Sequence, residues 1–557
     1  MVEIWNELKE FARNKIYVRC LLLVMLLTYI SLLINPTVSI DDTAFYLYYE
    51  QGVSPAMGRW GLYLINKLFP LNYNPHFVEA VGLLVFCVSV TLWSIAMKRV
   101  FRESVSPWAY AAFACVMISS PIMSEVIVWY LQDGIYCGYG MTALGVLFTM
   151  NALRKGNSLR QTGVNILLAA FFVAAALGFY EAFMIVYLIG VLAVFMAMRL
   201  LQRAEHSLRI RDWLLRGTLI CLVAMILRSG ITSFVIKFFR LENYTGVLTY
   251  RGLDVMFGSW LDGTRTWQDF VNVMKQFIVK YYINAVVYVP VRILVLAIIL
   301  MVLVGIVWSI RRKDGWIITA VLGILIAPWL LPLLEGTVTF YRSSQYIPVV
   351  TAFAVLLMCW QFAQGKPISW CRGLGCFLLV VLVYNQSYEM NKWFYLDGVK
   401  YENDKRVMAE VAHELMENYD CSKPICVVGR YKTPESLTTE AYCPDWSRKY
   451  SIVKKLVDML DEDLFETYVT SQGYVFAETP ILSFIEWGSM AFYGTDWQLM
   501  EFWKMHGYSF IEDGIQEHYV QAKEMMKDGP VWPQKGSIVE MDDHIIVNFG
   551  VNDDVSE

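Results

Sequence analysis

Long runs of apolar residues with almost no charged side chains fill the first 388 residues of this chain. Each run has about 17 to 25 residues, and a helix of that length crosses a hydrocarbon core of roughly 30 Å. Backbone groups in lipid must be satisfied internally, and unbroken runs indicate helices rather than barrel strands. The sequence therefore predicts a polytopic α-helical membrane protein. The eleven predicted spans are 17–34, 77–97, 107–123, 137–153, 162–178, 182–199, 213–235, 285–310, 315–334, 346–364 and 370–387.

The last part of the chain, residues 389–557, has a different composition. It contains 31 acidic and 15 basic residues, whereas the net charge of the whole chain is −4. A segment of this length can bury a core of its own, so we expect a separate soluble domain. Its residue patterns predict an α/β fold. The predicted helices are 404–418, 452–460, 497–505 and 515–527, with a strand at 424–428 and a hairpin formed by 537–540 and 544–548.

Lysine and arginine residues predict the orientation, because cytoplasmic connections of membrane proteins are enriched in them. One set of connections carries clusters such as Arg311-Arg312-Lys313, whereas the opposite short connections carry only Arg59, Lys67 and Arg342. We therefore expect a cytoplasmic N-terminus, and an odd number of spans places 389–557 outside. Topology accounts for the basic clusters, so no nucleic-acid partner is expected. The eleven cysteines form no C-x-x-C pair, and no metal site is predicted.

An adjacent pair of carboxylates, Asp41-Asp42, follows the first predicted span. Two such groups at a membrane boundary repel each other and resist desolvation, which raises one pKa. A carboxylate in this position can act as a general base on an acceptor hydroxyl. The alternatives are a solvated loop pair or an N-cap provided by Asp42.

Further charged residues fall on the same predicted side of the membrane. Arg59 and Arg342 suit bidentate binding of a phosphate, and the alternative for each is an interfacial arginine paired with an acid. Ionisable residues at membrane depth are candidates for function. Those acids are Glu125, Asp133, Glu181 and Glu335, and of these Glu181 stands between two apolar spans with almost no loop around it. Arg228, inside a predicted span, faces either a cavity or a carboxylate.

Several short motifs give the chain a resemblance to a known family. They are Asp41-Asp42 with Phe45-Tyr46-Leu47-Tyr48-Tyr49, Gly58-Arg59-Trp60-Gly61, the Arg342 loop, Asn385-Gln386-Ser387-Tyr388 with Tyr401-Glu402-Asn403-Asp404, and Gly529-Pro530-Val531-Trp532-Pro533 with Gly536-Ser537-Ile538. The chain thereby resembles the bacterial type II glucosyltransferases that modify O-antigen, within the C-type glycosyltransferase (GT-C) superfamily. Glu181 departs from the family pattern, in which a glutamine is expected.

The resemblance implies a multi-pass enzyme of the bacterial inner membrane that carries out an inverting sugar transfer. The donor would be a polyprenyl-phosphate hexose, most simply undecaprenyl-phosphate glucose, and the acceptor a surface polysaccharide or its lipid-linked repeat. Asp41 or Asp42 would be the base, and Arg342 with Arg59 would bind the donor phosphate. The acids Glu125, Glu181 and Glu335 would line the sugar or acceptor pocket.

The same resemblance implies partner proteins, namely a synthase that makes the carrier-linked sugar and a flippase that delivers it. It requires no cofactor, although some relatives use a divalent metal. Three other functions are alternatives. A flippase or transporter of lipid-linked sugars would share the spans, but paired, interrupted spans in two halves are missing. A polysaccharide polymerase would have more arginines in two large outer loops, and a non-catalytic cell-wall binding protein would not need eleven spans.

Overall fold

The computed structural model divides into two compact units. The first, here called the membrane unit, consists of Met1–Ile34, Leu47–Ile127 and Leu131–Asn391, and the second, here called the C-terminal unit, consists of Lys392–Glu557 together with Asn35–Tyr46 and Val128–Tyr130. The sequence placed this boundary at 388/389, and the assignment of the two parts as a membrane catalytic domain and an extracytoplasmic domain stays a prediction. The residues that the structure describes are 1–38, 53–68, 75–127, 134–203, 205–206, 209–241, 260, 263–286, 288–336, 338–339, 341–364, 369–431, 434, 437, 446–460 and 497–550.

Nine helices in the described part of the chain are long and apolar enough to cross a membrane. This finding agrees with a polytopic membrane protein, whereas the sequence predicted eleven spans. The nine are Lys15–Ile34, His76–Ser104, Pro107–Val126, Leu159–Phe179, Phe183–Leu201, Ile210–Phe238, Val289–Arg312, Trp316–Glu335 and Ile347–Gln364.

The other two predicted spans are also helical. One corresponds to Ile135–Ala152, and the other is the first part of the 50-residue helix Ser369–Asn418. Glycine, tyrosine, threonine and asparagine residues interrupt the apolar character of the first, and Arg372, Asn385 and Gln386 do so in the second. These polar residues make both helices less apolar than the nine, so the number of membrane crossings stays a prediction.

The described membrane unit consists almost entirely of helices. In chain order they are α1 (Val2–Arg13), α2 (Lys15–Ile34), α3 (Val53–Ala56), α4 (Trp60–Leu68), α5 (Pro75–Phe101), α6 (Pro107–Ile118), α7 (Ser124–Ile127), α8 (Ile135–Ala152), α9 (Leu159–Phe179), α10 (Phe183–Leu201), α11 (Ile210–Phe238), α12 (Trp267–Ile278), α13 (Val289–Arg312), α14 (Trp316–Ile326), α15 (Leu330–Glu335), α16 (Ile347–Gln364) and α17 (Ser369–Asn418), the last of which continues into the C-terminal unit. Short 3-10 turns at Pro121–Met123, Asn284–Val286 and Tyr341–Ser343 and a π-helical turn at Val279–Ile283 lie between them.

A tryptophan holds three of these helices together. Trp93 on α5 is fully buried, and its indole N–H donates to the Tyr139 carbonyl on α8 at 3.1 Å. Its ring also packs against Gly190 on α10, where an added Cβ would lie 2.5 Å from the ring. Glycine is therefore required at position 190 for this close approach.

The turn between α9 and α10 is short, because only Tyr180, Glu181 and Ala182 separate the two helices. The sequence predicted two spans here, 162–178 and 182–199, and the structure has two separate helices. Gly178 near the end of α9 meets the indole of Trp60 on α4, with 2.4 Å between an added Cβ and the ring. These contacts bring the start of α4 beside the turn that carries Glu181.

The C-terminal unit contains a three-stranded sheet with helices. Strands β1 (Ile425–Val428) and β3 (Ile545–Asn548) are parallel, and β2 (Ile538–Glu540) pairs with β3 in antiparallel fashion. Both the strands and the helices lie close to the positions that the sequence predicted. The described helices of this unit after α17 are α18 (Trp446–Asp458), α19 (Trp497–Met505) and α20 (Gln516–Met525).

Candidate functional site

Two groups of charged side chains in the described part of the membrane unit contain site residues that the sequence predicted. The first, here called the Glu181 cluster, consists of Arg59, Glu181 and Arg228. Arg59 precedes α4, is 9% exposed, and places its guanidinium 3.2 and 3.3 Å from the two carboxylate oxygens of Glu181. The guanidinium also lies over the Tyr180 ring, with 4.8 Å to the ring centre. Arg59 is thus held by a fork of two hydrogen bonds and by an aromatic face.

Glu181 is ionised in this environment. Burial by itself raises the pKa of its carboxyl, but the charges of Arg59 and Arg228 and the Arg59 hydrogen bond outweigh that effect and lower the pKa to about 2. Arg228 reaches this turn from the middle of α11, and its guanidinium packs against Gly58, whose φ is +79°. Glycine suits this left-handed backbone, and its missing side chain leaves the space that Arg228 occupies.

The second group, here called the Arg342 cluster, consists of Glu125, Lys280 and Arg342. Glu125 is in α7, Lys280 is in the π-helical turn before α13, and Arg342 is in the 3-10 turn before α16. Electrostatic attraction links Glu125 to both cations. Glu125 also accepts a 2.6 Å hydrogen bond from the hydroxyl of Tyr288. Three connections that are distant in sequence therefore meet at one place.

Lys280 is the most buried cation of the Arg342 cluster, with 3% of its surface exposed. Its ammonium donates to the Thr339 carbonyl at 2.5 Å and lies 4.5 Å from the centre of the Tyr341 ring. Burial lowers the pKa of Lys280 to about 7, the Glu125 carboxylate opposes this effect, and the Arg342 charge adds to it. Lys280 therefore changes its charge near neutral pH.

Tyr341 fixes the chain around these cations. Its hydroxyl donates to the Lys280 carbonyl at 3.0 Å and accepts from the Asn284 amide at 2.6 Å. Next to it, the Arg342 carbonyl accepts a 2.7 Å hydrogen bond from the side-chain amide of Gln345, which is fully buried. Both the lysine turn and the arginine turn are thus anchored through buried polar groups, which favours a fixed geometry.

One hydrogen bond connects the two clusters. The Tyr180 hydroxyl lies 3.1 Å from the Ser343 hydroxyl. Tyr180 also carries Arg59 on its ring, and Ser343 directly follows Arg342. The four cations and two carboxylates therefore belong to one polar region of the membrane unit.

The sequence-predicted site residues are only partly gathered here. Arg59 meets Glu181, and Glu125 lies near Arg342, but Asp41, Asp42 and Asp133 fall outside the described residues. Glu335 ends α15, and its backbone carbonyl accepts from Arg265 at 2.5 Å.

Lys280 was not predicted as a site residue. The signal for it is a single cation within the aromatic and apolar stretch 277–291, where a basic residue needs a polar partner. Arg228 was noted only as facing a cavity or an acid, and the structure supplies that acid. Among the described residues, the side chains placed to hold a metal ion are Asp513, His518 and His544, which belong to the C-terminal unit and to neither cluster.

Comparison with known proteins identifies the family. A family profile described as Glucosyl transferase GtrII matches residues 30–359, which is more than half of the chain. No curated protein and no solved structure matches this chain. The match confirms the resemblance to the type II glucosyltransferases and contains both clusters. This protein therefore belongs to the Glucosyl transferase GtrII family, and its family implies glucosyltransferase activity.

Proposed function

We propose that this protein transfers glucose from a polyprenyl-phosphate carrier to a surface polysaccharide or its lipid-linked repeat, at the outer face of the bacterial inner membrane. The observation that carries this proposal is the joined pair of cationic clusters within the family-matched region. Each cluster combines two cations with one carboxylate. An excess of positive charge at a membrane boundary suits a lipid-borne phosphate better than a neutral glycan.

Arg342 and Lys280 are the proposed ligands of the donor phosphate. A phosphate gains negative charge as the sugar departs, and fixed cations stabilise that charge when they need not reorganise. The hydrogen bonds of Gln345 and Thr339 hold the Arg342 and Lys280 turns in place before any donor binds. Arg59 takes part in the same field but is drawn toward Glu181, so its contribution is smaller.

The proposed general base is Asp41 or Asp42. The pair follows the end of α2 in sequence, and at that end the ring Nδ1 of His76, in α5, lies 2.9 Å from the Leu33 carbonyl. The carboxylate takes the proton of the acceptor hydroxyl, whose oxygen then bonds to the anomeric carbon. The bond from that carbon to the phosphate oxygen breaks, the carrier phosphate leaves with the electron pair, and the anomeric configuration inverts.

A lipid-borne donor also agrees with the sequence. The chain has no glycine-rich phosphate loop, and its one Asp-x-Asp sequence, Asp461-Glu462-Asp463, belongs to the part of the chain that we propose lies outside the cytoplasm. Its connections on the proposed cytoplasmic side are short, which leaves little chain to bind a nucleotide sugar. We therefore propose that a separate synthase loads the carrier and a separate flippase brings it to the outer face.

Transfer from undecaprenyl-phosphate glucose to native cell-envelope glycan tests this proposal directly. Purified wild type should consume the carrier-linked sugar, and either Asp41→Asn or Asp42→Asn should lower turnover by about 10²-fold or more. The exposed Glu103→Gln is the matched control and should keep wild-type turnover. Wild-type turnover in both aspartate variants would remove the acidic pair from the mechanism. If the protein moves the carrier across liposome membranes but does not label glycan, its function would be that of a flippase and not of a transferase.

A further inference from the structure

The C-terminal unit brings together two of the six histidines of the chain and two aspartates. His518 Nδ1 lies 3.0 Å from one carboxylate oxygen of Asp513 and 3.2 Å from the other. The rings of His518 and His544 stack with 4.3 Å between their centres. Asp513 is 2% exposed and His544 is 5% exposed, so these two residues are shielded from water, whereas 63% of the Asp543 side chain is accessible. Buried carboxylates and imidazoles of this kind are usually paired with each other or bound to a metal.

The sheet explains why residues so far apart in sequence meet. Ile425 at the start of β1 pairs with Ile545 of β3 on one side and with Glu512 on the other. Asp513 therefore stands on one side of β1, and His544, directly before β3, stands on the other. Helix α20 packs on the same strands through Tyr519 and Ala522, which brings His518 in its first turn over the strand starts.

A single carboxylate, Asp543, selects the ring nitrogens that face inward. One of its oxygens lies 2.7 Å from His544 Nδ1, and the other lies 3.3 Å from His518 Nε2. If each of these nitrogens donates its N–H to Asp543, the lone pairs of His518 Nδ1 and His544 Nε2 remain as metal ligands. Histidines that bind metals almost always donate their second ring nitrogen to a carboxylate or carbonyl in this way.

Asp513 completes the ligand set. Its carboxylate also accepts a 3.4 Å hydrogen bond from the Ile515 backbone N–H, which fixes its orientation. The candidate ligand atoms of Asp513, His518 and His544 all lie within 4.8 Å of one another. Ligands of one tetrahedral zinc ion lie about 3.4 Å apart, so the two imidazole rings, which stack with 11° between their planes, rotate out of the stack as the ion binds. With neutral imidazoles the two aspartates carry two negative charges, which one divalent cation balances.

We propose that Asp513, His518 and His544 bind a divalent transition metal of the zinc class, with Asp543 as the carboxylate that positions both imidazoles. Three protein ligands leave a fourth coordination position for water or a ligand oxygen. The ion lies between Asp513 and His518 Nδ1, and both histidines coordinate it as neutral imidazoles. The ion ties the segment before α20 to the start of β3, and this role is independent of the transferase chemistry of the membrane unit.

Zinc titration of the full chain tests the site. Tag-free protein is stripped with a chelator and titrated with Zn²⁺ alone against a chromophoric competitor, and Ca²⁺ is titrated in parallel. We expect one Zn²⁺ per chain, no Ca²⁺ binding at comparable concentrations, and for Co²⁺ the visible absorption of a low-coordinate site. Wild type that binds no Zn²⁺ under these conditions would overturn the proposal and leave the group as an ion-paired network.

Variants assign the ligands. His518→Ala and His544→Ala should each weaken Zn²⁺ binding more than about 100-fold, and Asp543→Asn, which changes only the positioning residue, about 10- to 100-fold. His413→Ala, at an exposed histidine of the same unit, is the matched control and should bind like wild type. Circular dichroism of each metal-free variant separates loss of ligands from loss of folding. Full binding by a folded His518→Ala/His544→Ala double variant would assign the zinc elsewhere and overturn the proposal.

Discussion

The Glu181 cluster and the Arg342 cluster have the same formal charge, but their buried charged groups are stabilised by different hydrogen-bond partners. In the Glu181 cluster, the carboxylate accepts two hydrogen bonds directly from Arg59. In the Arg342 cluster, the carboxylate of Glu125 accepts from a phenol, while Lys280 donates to a backbone carbonyl. The hydrogen bonds from Arg59 offset the Glu181 charge directly, whereas the Tyr288 hydroxyl and the Thr339 carbonyl hold Glu125 and Lys280 through neutral groups. We infer that the first cluster mainly stabilises the turn and that the second mainly serves the substrate.

Replacing Arg342 should have the largest effect. Arg342→Gln removes a preorganised donor to the leaving phosphate, and we expect turnover to fall about 10²- to 10³-fold. The unfolding temperature should change little. Arg342→Lys should recover part of the activity, because a point charge replaces a bidentate fork. Turnover with undecaprenyl-phosphate glucose measures the effect, and Arg311→Gln, at an exposed arginine near the end of α13, serves as control. Unchanged turnover in Arg342→Gln would show that the Arg342 cluster does not serve the substrate, and the proposed difference in role between the two clusters would be wrong.

Because of Lys280, the contribution of the Arg342 cluster to turnover should depend on pH. Its pKa is about 7, so the ammonium form is present below that pH and is lost above it. Turnover should therefore fall as pH rises through about 7, and Lys280→Met should lower turnover about tenfold at about pH 6 and remove this step. The free energy of unfolding should change in the opposite direction, that is, it should increase with pH. Because the folded pKa lies below the ordinary value of 10.5, stability increases as pH rises from about 7 to 10.5.

A pH–rate profile of wild type and Lys280→Met, with a thermal unfolding curve at each pH, separates the two effects. Glu181 cannot produce the step, because its pKa of about 2 keeps it ionised over this whole range. A step that persists in Lys280→Met would assign the titration to another group, such as the acidic pair Asp41-Asp42.

The Glu181 cluster should respond in stability more than in turnover. Glu181→Gln leaves the Arg59 charge with a weaker partner, and we expect a loss of about 1–3 kcal/mol, between the values for exposed and buried pairs. The Arg59→Gln/Glu181→Gln double variant should recover part of it. Because the folded pKa is lowered, the stabilisation from Glu181 is present above the ordinary value of 4.5 and is lost as pH falls through about 2.

Unfolding by denaturant in detergent measures this difference. Glu205→Gln is a matched comparison, since the Arg102–Glu205 pair is more exposed, with 47% and 44% of the two side chains accessible. It should cost less than about 1 kcal/mol. An equal loss of stability in Glu181→Gln and Glu205→Gln would show that the Arg59 pair does not stabilise the turn.

The two clusters also show how far sequence reasoning reaches. Charged residues at span ends are visible in the sequence, and Arg59, Glu125, Glu181 and Arg342 were all identified that way. Their partners were not, because the contact between Arg59 and Glu181 depends on how α4 packs against α9, which no local pattern encodes. Lys280 was not identified because its neighbours are aromatic and apolar, and a single cation changes the mean hydropathy of such a stretch only slightly.

The same limits apply to the fold. Helices with strong periodicity, such as Trp497–Met505, lie where the sequence predicted them, because local pattern and tertiary packing agree there. The histidine group of the C-terminal unit was not anticipated, since Asp513 and His544 are 31 positions apart and meet only through the register of β1 and β3. Spacing rules detect metal ligands that are close in sequence and not those that a sheet brings together.

The smallest expected effect concerns the hydrogen bond that joins the clusters. Tyr180→Phe removes the 3.1 Å contact with Ser343 but keeps the aromatic ring beneath Arg59, and Ser343→Ala removes the same bond from the other side. Each should cost about 0.5–1.5 kcal/mol in stability and change turnover less than about tenfold. Because both variants delete one interaction, the double variant should cost little more than either single one. Ser309→Ala, which loses a bond to the Asp314 carbonyl, provides the control. Additive losses in the double variant would show that the two clusters act independently of this bridge.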